Sequence, residues 1–195
     1  KGRLHRIIIF PCAFGPMLLA TMMYCNHFMG PAGRTNKGTL ILPPLEFDRL
    51  ALAAQPGQPL RIADMEEKWR LLILSDGPCA EQCRDAIYKA RQVNVALHKE
   101  AQRVTRYYVD ASVDGSGALD DEIRTHYPQL NQVTADRFRL KQYLDEKIDG
   151  NSALGKNHIL VVDPIGNIMM FYSAENSGKD ILEDLKRLLK VSHIG

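Results

Sequence analysis

Residues 69–83, WRLLILSDGPCAEQC, constrain the fold more than any other stretch of the chain. Trp69–Ser75 is an apolar run too short for a typical helix and closed by DGP, which predicts a strand buried on both faces. From Cys79 to about Arg103 there is no Pro or Gly, and Cys83, Ile87, Ala90, Leu97 and Ala101 recur at helical spacing. One long amphipathic helix is expected there. Cys79 and Cys83 would lie one turn apart on the same face of that helix, able to meet a common partner. At the helix N-terminus, unpaired amides and the helix dipole favour the thiolate of Cys79. Cys83 continues the buried stripe toward Ile87 and is expected to be the shielded one of the pair.

The rest of the chain supplies partners for this strand and helix. Leu60–Asp64 predicts a short strand, and Val104–Asp110 a second buried one. Leu119–Tyr127 predicts a short helix with an acidic start. LNQVTAD reads as a brief extended piece, followed by an amphipathic helix over Ala135–Ile148. His158–Asp163 and Ile168–Tyr172 flank the turn DPIGN and form an antiparallel hairpin. Lys179–Lys190 sets Ile181, Leu182, Leu185, Leu188 and Leu189 on one face of a final helix. This order describes an α/β sheet with helices on both faces, and right-handed crossovers make the strands at Trp69 and Val104 parallel neighbours. A cysteine pair opening the first long helix is the thioredoxin-like pattern. The expected fold class is therefore a thioredoxin-like three-layer sandwich with a central mixed sheet, over residues 60–195.

What precedes that domain differs in character. Ile7–Cys25 is a run of 19 uncharged residues, close to the ~20 that a helix needs to cross a bilayer core. One N-terminal transmembrane helix is expected, with residues 1–25 forming a basic flank and anchor. A cleaved secretory signal is the alternative, but MMYCNHF after the run offers no small-x-small site. The flank KGRLHR should stay cytoplasmic. The soluble domain then faces the periplasm of a bacterial inner membrane, or the equivalent mitochondrial compartment. Residues 26–59, with GPAGRTNKG, LPP and QPGQP, read as an extended tether in which TLILPP could pair locally as a short strand. No acidic residue precedes Glu46. Of the 25 basic residues, Lys1, Arg3 and Arg6 precede the run, leaving 22 against 23 acidic ones. The soluble part has no basic excess to support nucleic-acid binding.

Two soft sulfurs suit Cu(I) and equally close as a disulfide in an oxidising compartment. The strand WRLLILS, the motif CAEQC and the hairpin HILVVDPIGNIMMFY together resemble the SCO/SenC family of membrane-anchored copper chaperones. That family has one N-terminal anchor and a thioredoxin-like domain with Cys-x-x-x-Cys, followed much later by a metal-binding His. The resemblance covers roughly Leu60 to the C-terminus and implies Cys79, Cys83 and His158 as metal ligands. It implies a respiratory oxidase subunit, or another copper or thiol protein, as partner. The chain departs from the pattern at Ala80 and Arg84, where the family usually has Pro after the first cysteine and often after the second. His158 also stands closer to its turn than the family's His does.

Other groups are weaker candidates. His98 is fifteen residues beyond Cys83, about 22 Å along a helix, and is excluded. His126 would need a special loop path, His193 sits in the tail, and His5 and His27 flank the anchor together with Cys12 and Cys25. Asp76 and Glu81 flank the thiols as candidate proton or metal holders. General thioredoxin-like reductases carry a cis-proline ahead of the strand facing their cysteines, and no proline lies between Pro128 and Pro164. A broad-range oxidoreductase is thus disfavoured. Three functions are expected in this order: Cu(I) transfer to an oxidase, dedicated reduction of a partner's copper-site cysteines, and a scaffold without transfer chemistry.

Overall fold

The structure, a computed structural model, describes residues 14–17, 21–22, 36–55, 57–146, 148, 154 and 158–192. The chain divides into two compact units, Lys1–Thr35 and Asn36–Gly195. In the first unit, residues 14–17 and 21–22 are helical, and the Thr21 hydroxyl donates to the Met17 carbonyl at 2.8 Å. Among the described residues no helix is long and apolar enough to cross a membrane. The anchor expected at residues 7–25 lies largely outside them.

The second unit is built on a sheet in which eight strands are described: β1 (Thr39–Glu46), β2 (Leu52–Gln55), β3 (Gln58–Pro59), β4 (Trp69–Ser75), β5 (Val104–Asp110), β6 (Leu130–Ala135), β7 (Ile159–Val162) and β8 (Asn167–Tyr172). Their order is β1-β8-β7-β4-β5-β6-β2-β3. β4 pairs in parallel with β5, and β5 with β6, whereas β7 runs antiparallel to both β4 and β8. Among the described residues four helices cover the sheet: α1 (Glu81–Ala96), α2 (Asp121–His126), α3 (Arg137–Asp145) and α4 (Gly178–Val191). This is the expected layered α/β arrangement.

Strand alternation divides the core in two. Leu71 and Ile73 of β4, Ile159 and Val161 of β7, and Val104 and Tyr108 of β5 pack with Cys83, Ile87 and Ala90 of α1 and Ile181, Leu185 and Leu189 of α4. Leu72, Leu74, Leu160 and Val162 face the other way, against Leu140 and Leu144 of α3. Every residue of β4 is buried, as the apolar run predicts. Arg70 is the exception in chemistry, since its guanidinium lies inside the fold and donates to the carbonyls of Lys68 at 2.7 Å, Asp163 at 3.3 Å and Glu66.

Three local expectations are revised. The tether expected over 26–59 belongs to the folded unit from Asn36 onward. β1 pairs antiparallel with β8 and β2 with β6, while Ile41, Leu45, Phe47, Leu50 and Leu52 are buried. Pro43 and Pro44 lie within β1 and Pro59 within β3, while Gly57, with a positive φ of 82°, sits in the turn between β2 and β3. Leu60–Asp64 is not a strand but contains a 3-10 turn at Ile62–Asp64. The long helix is α1 alone: it starts at Glu81, and His98 takes a left-handed φ of 51° before a 3-10 helix, His98–Arg103.

Candidate functional site

The carboxyl end of β4 delivers the chain into the cysteine pair. Ser75 closes the strand beside Asp110 of β5, and its hydroxyl donates to the Gly77 carbonyl at 3.0 Å, bending the chain back. Ala80 adopts an extended conformation and is the N-cap of α1. Its amide bonds the Pro78 carbonyl at 2.8 Å, and its own carbonyl accepts from the Arg84 amide at 3.0 Å. Cys79 therefore sits just outside the helix and Cys83 in its first turn. Their Cα atoms are 5.1 Å apart and the sulfurs form a disulfide. Cys83 is 1% exposed, whereas Cys79 is half-buried against the core under α1. The arrangement gives one shielded sulfur and one that an incoming group can approach.

Charges around the pair are arranged in exposed couples. Asp76 accepts from Arg137 at 3.1 Å. Arg84, next to Cys83, bonds Asp120 at 2.7 Å and reaches Glu122 at 3.5 Å, tying the start of α1 to that of α2. Contacts this open to solvent add little stability, but they set the spacing of the two helices. Between these helices runs a groove of about 420 Å³, lined in part by the buried Ile87 and Ile123 and by the exposed Glu81, Tyr88 and His126. Asp76 and Glu81 thus flank the sulfurs as surface carboxylates, one of them ion-paired. His126 Nδ1 donates to the Glu122 carbonyl, 2.8 Å away on its own helix, and His98 is exposed beyond the far end of α1. Cys12, Cys25, His5, His27 and His193 lie outside the described residues.

His158 stands at the right end of the sheet but against its other face. Its carbonyl accepts from the Leu74 amide at 3.1 Å, which places it level with the end of β4. The next residues alternate, with Ile159 on the cysteine side and Leu160 on the α3 side. The His158 ring is 3% exposed and meets the Phe171 ring edge-on, with centroids 5.6 Å apart, and Phe171 packs against the α3-side core. The structure thus unites Cys79 and Cys83 and does not bring His158 to them. Among the described residues no group of three or more His, Cys, Asp or Glu could hold a metal ion.

Several polar residues of the unit carry no signal in the sequence. The Tyr108 hydroxyl donates to the Gly117 carbonyl at 2.8 Å below the site, and burial pushes its pKa up. Asp110 is buried beside Ser75 and accepts from the Ser112 amide at 2.9 Å. A Cβ on Gly117 would fall 2.1 Å from the Asp110 carboxylate, so only glycine closes that loop. These contacts join residues that local patterning treats as ordinary strand and loop positions.

A disulfide at the junction of a central parallel strand and the first helix of a mixed sheet is a thioredoxin-like arrangement. A family model described as transmembrane-like, thioredoxin-like, C-terminal domain matches residues 69–192, and the chain belongs to that family. No curated protein sequence matches the chain. Sco proteins are among its structural neighbours. The apo Sco1 protein of Thermus thermophilus superposes with a TM-score of 0.57 at 17% identity, covering 80% of this chain and 99% of that one. BsSco, a member of the Sco family of cytochrome c oxidase assembly proteins in which a disulfide switch was identified, gives 0.53 at 14%, covering 79% and 100%. Yeast Sco1 with copper bound gives 0.52 at 13%, covering 82% and 96%. At these identities the likeness is one of fold.

Proposed function

We propose that this chain is a membrane-anchored, Sco-like assembly factor that carries Cu(I) as cargo on Cys79 and Cys83 and hands it to a partner copper site, as in the assembly of a respiratory oxidase. The observation that carries this reading is the pair itself. Reduction of the disulfide leaves two thiolates on Cα atoms 5.1 Å apart, one shielded and one accessible. Cu(I) is soft and prefers such ligands. A site of only two sulfurs lets an incoming ligand bind before an old one leaves, which suits transfer. His158, across the sheet, is left out of the set. The apolar run at 7–25 and the basic flank before it support an inner-membrane anchor with the folded unit in the periplasm.

A Cu(I) titration of the reduced full chain tests the reading. Binding of one Cu(I) per chain is expected, lost in Cys83→Ser and unchanged in His158→Ala. Absence of Cu(I) binding, or binding indifferent to Cys83→Ser, overturns it. A loss of about tenfold in affinity, near 1.4 kcal/mol, in His158→Ala would overturn the two-sulfur set.

The second reading is a dedicated thiol reductase, favoured by the exclusion of His158, since this chemistry needs no third ligand. The Cys79 thiolate attacks a sulfur of the partner's disulfide and expels the other as a thiolate. Cys83 thiolate then attacks Cys79, releasing the second partner thiolate and closing the Cys79–Cys83 disulfide, so the partner gains the two electrons that the pair loses. This reading requires a trapped mixed disulfide in Cys83→Ser. A chain with neither Cu(I) binding nor such an adduct would be the scaffold.

A further inference from the structure

Away from the disulfide, the amino-terminal half of β5 holds a buried cation without a carboxylate. Arg106 pairs with Leu71 in the register of β4 and β5 and is 5% exposed. Its Nη2 donates to the Gln129 side-chain oxygen at 3.3 Å, and its Nη1 is buried with no hydrogen-bond partner. The guanidinium borders two cavities. One, of about 270 Å³, has Lys68, Asn94, Gln102, Thr105 and Gln129 in its lining. The other, of about 240 Å³, shares Asn94, Arg106 and Gln129 and adds Arg91 and Tyr127. Among the described residues no Asp or Glu lines either cavity.

Burial of a charge without a counterion is costly. Desolvation accordingly pushes the Arg106 pKa down, and the neighbouring Arg91 pushes it the same way. Arg91 is exposed, with its guanidinium 5.8 Å from the centre of the Tyr127 ring. Lys68 is already paired with Glu66. Elsewhere in the unit the buried Arg70 meets three backbone carbonyls. Arg106 has a single amide oxygen. An oxyanion reaching Nη1 through either cavity would supply the acceptor and charge that the protein omits, in the fork geometry a guanidinium offers.

We infer that Arg106 and Arg91, with the Gln129 amide and beside Asn94, form a binding site for a small oxyanion of the phosphate or carboxylate type, separate from the disulfide. Asn94 lies eleven residues beyond Cys83 on α1, about 16 Å along the helix axis. The site therefore stands on its own, and its test does not depend on the copper or thiol chemistry.

Calorimetric titration of the oxidised full chain with inorganic phosphate, and in a parallel arm with acetate, reads the site directly against sodium chloride at matched ionic strength. Saturable binding of at least one anion is expected, and the arm that responds assigns the class. Arg106→Met, which keeps the apolar stem and removes the charge, abolishes it. Arg91→Gln, at an exposed position that leaves the core intact, weakens it by about tenfold and carries the test if Arg106→Met does not fold. Heat no different from the chloride control in both arms overturns the inference, leaving water as the partner of Nη1. So does binding that persists unchanged in Arg91→Gln and in any folded Arg106→Met.

Discussion

Asp184 shows how much one side chain can hold. It is 1% exposed on α4, and its Oδ2 accepts from the Lys37 amide at 2.8 Å, the Gly38 amide at 2.9 Å and the Tyr172 hydroxyl at 3.0 Å. It thereby fastens the start of the folded unit to α4 and β8. A Cβ on Gly38 would fall 2.5 Å from the Met170 sulfur, so the close approach also requires glycine. Asp184→Ala leaves three donors without their acceptor and is expected to cost about 3 kcal/mol. Urea denaturation checks this, and a midpoint equal to wild type would refute it. Nothing near Asp184 in sequence announces the role, because its partners come from Lys37, Gly38 and Tyr172. The cysteines were legible for the opposite reason. Their chemistry is intrinsic, and both partners lie within five consecutive residues.

At the scale of elements, most strands and helices follow from local pattern. β4 and the β7–β8 hairpin lie where apolar runs and the DPIGN turn place them, and α4 begins with a capping box between Ser177 and Asp180. Ends were less legible than existence. The stretch from Cys79 to Arg103 lacks any breaker, yet α1 stops when His98 enters the left-handed region. There Leu97 donates to the carbonyls of Val93 and Asn94, while the Asn94 side chain donates to the Ala101 carbonyl at 3.1 Å and the Val104 carbonyl at 3.2 Å. Tertiary hydrogen bonds outweigh helix propensity at that point. A left-handed φ strains any residue with a Cβ, and glycine relieves it. His98→Gly is expected to stabilise the protein by roughly 0.5–1 kcal/mol, read as a higher melting temperature; a lower one would show that the His98 side chain outweighs the strain.

For the molecule as a whole, burial of three tyrosines ties stability to alkaline pH. Burial pushes up the pKa of Tyr107, against the nearby Arg70, and that of Tyr108, against a hydrogen bond with Ser75. It does the same most strongly at Tyr172, where the Asp184 charge adds to it. The native chain thus holds these protons above pH ~10, the ordinary tyrosine value, while the unfolded chain releases them. Their contribution is complete below that pH and is lost as pH rises through the higher native values. Denaturation midpoints should fall above pH ~10, less steeply in Tyr172→Phe once its lower starting stability is subtracted. An equal slope would exclude Tyr172 as a source. Sequence by itself determined the layered α/β class, the parallel pairing of β4 with β5 and the position of the cysteine pair, because periodicity and short-range spacing specify them. Tertiary structure alone decided that residues from Asn36 complete the sheet, that His158 faces α3, and that Arg106 lies under α1 without a carboxylate. Each depends on strand register and on side chains distant in sequence, where moving a residue by one place along a strand turns it to the opposite face.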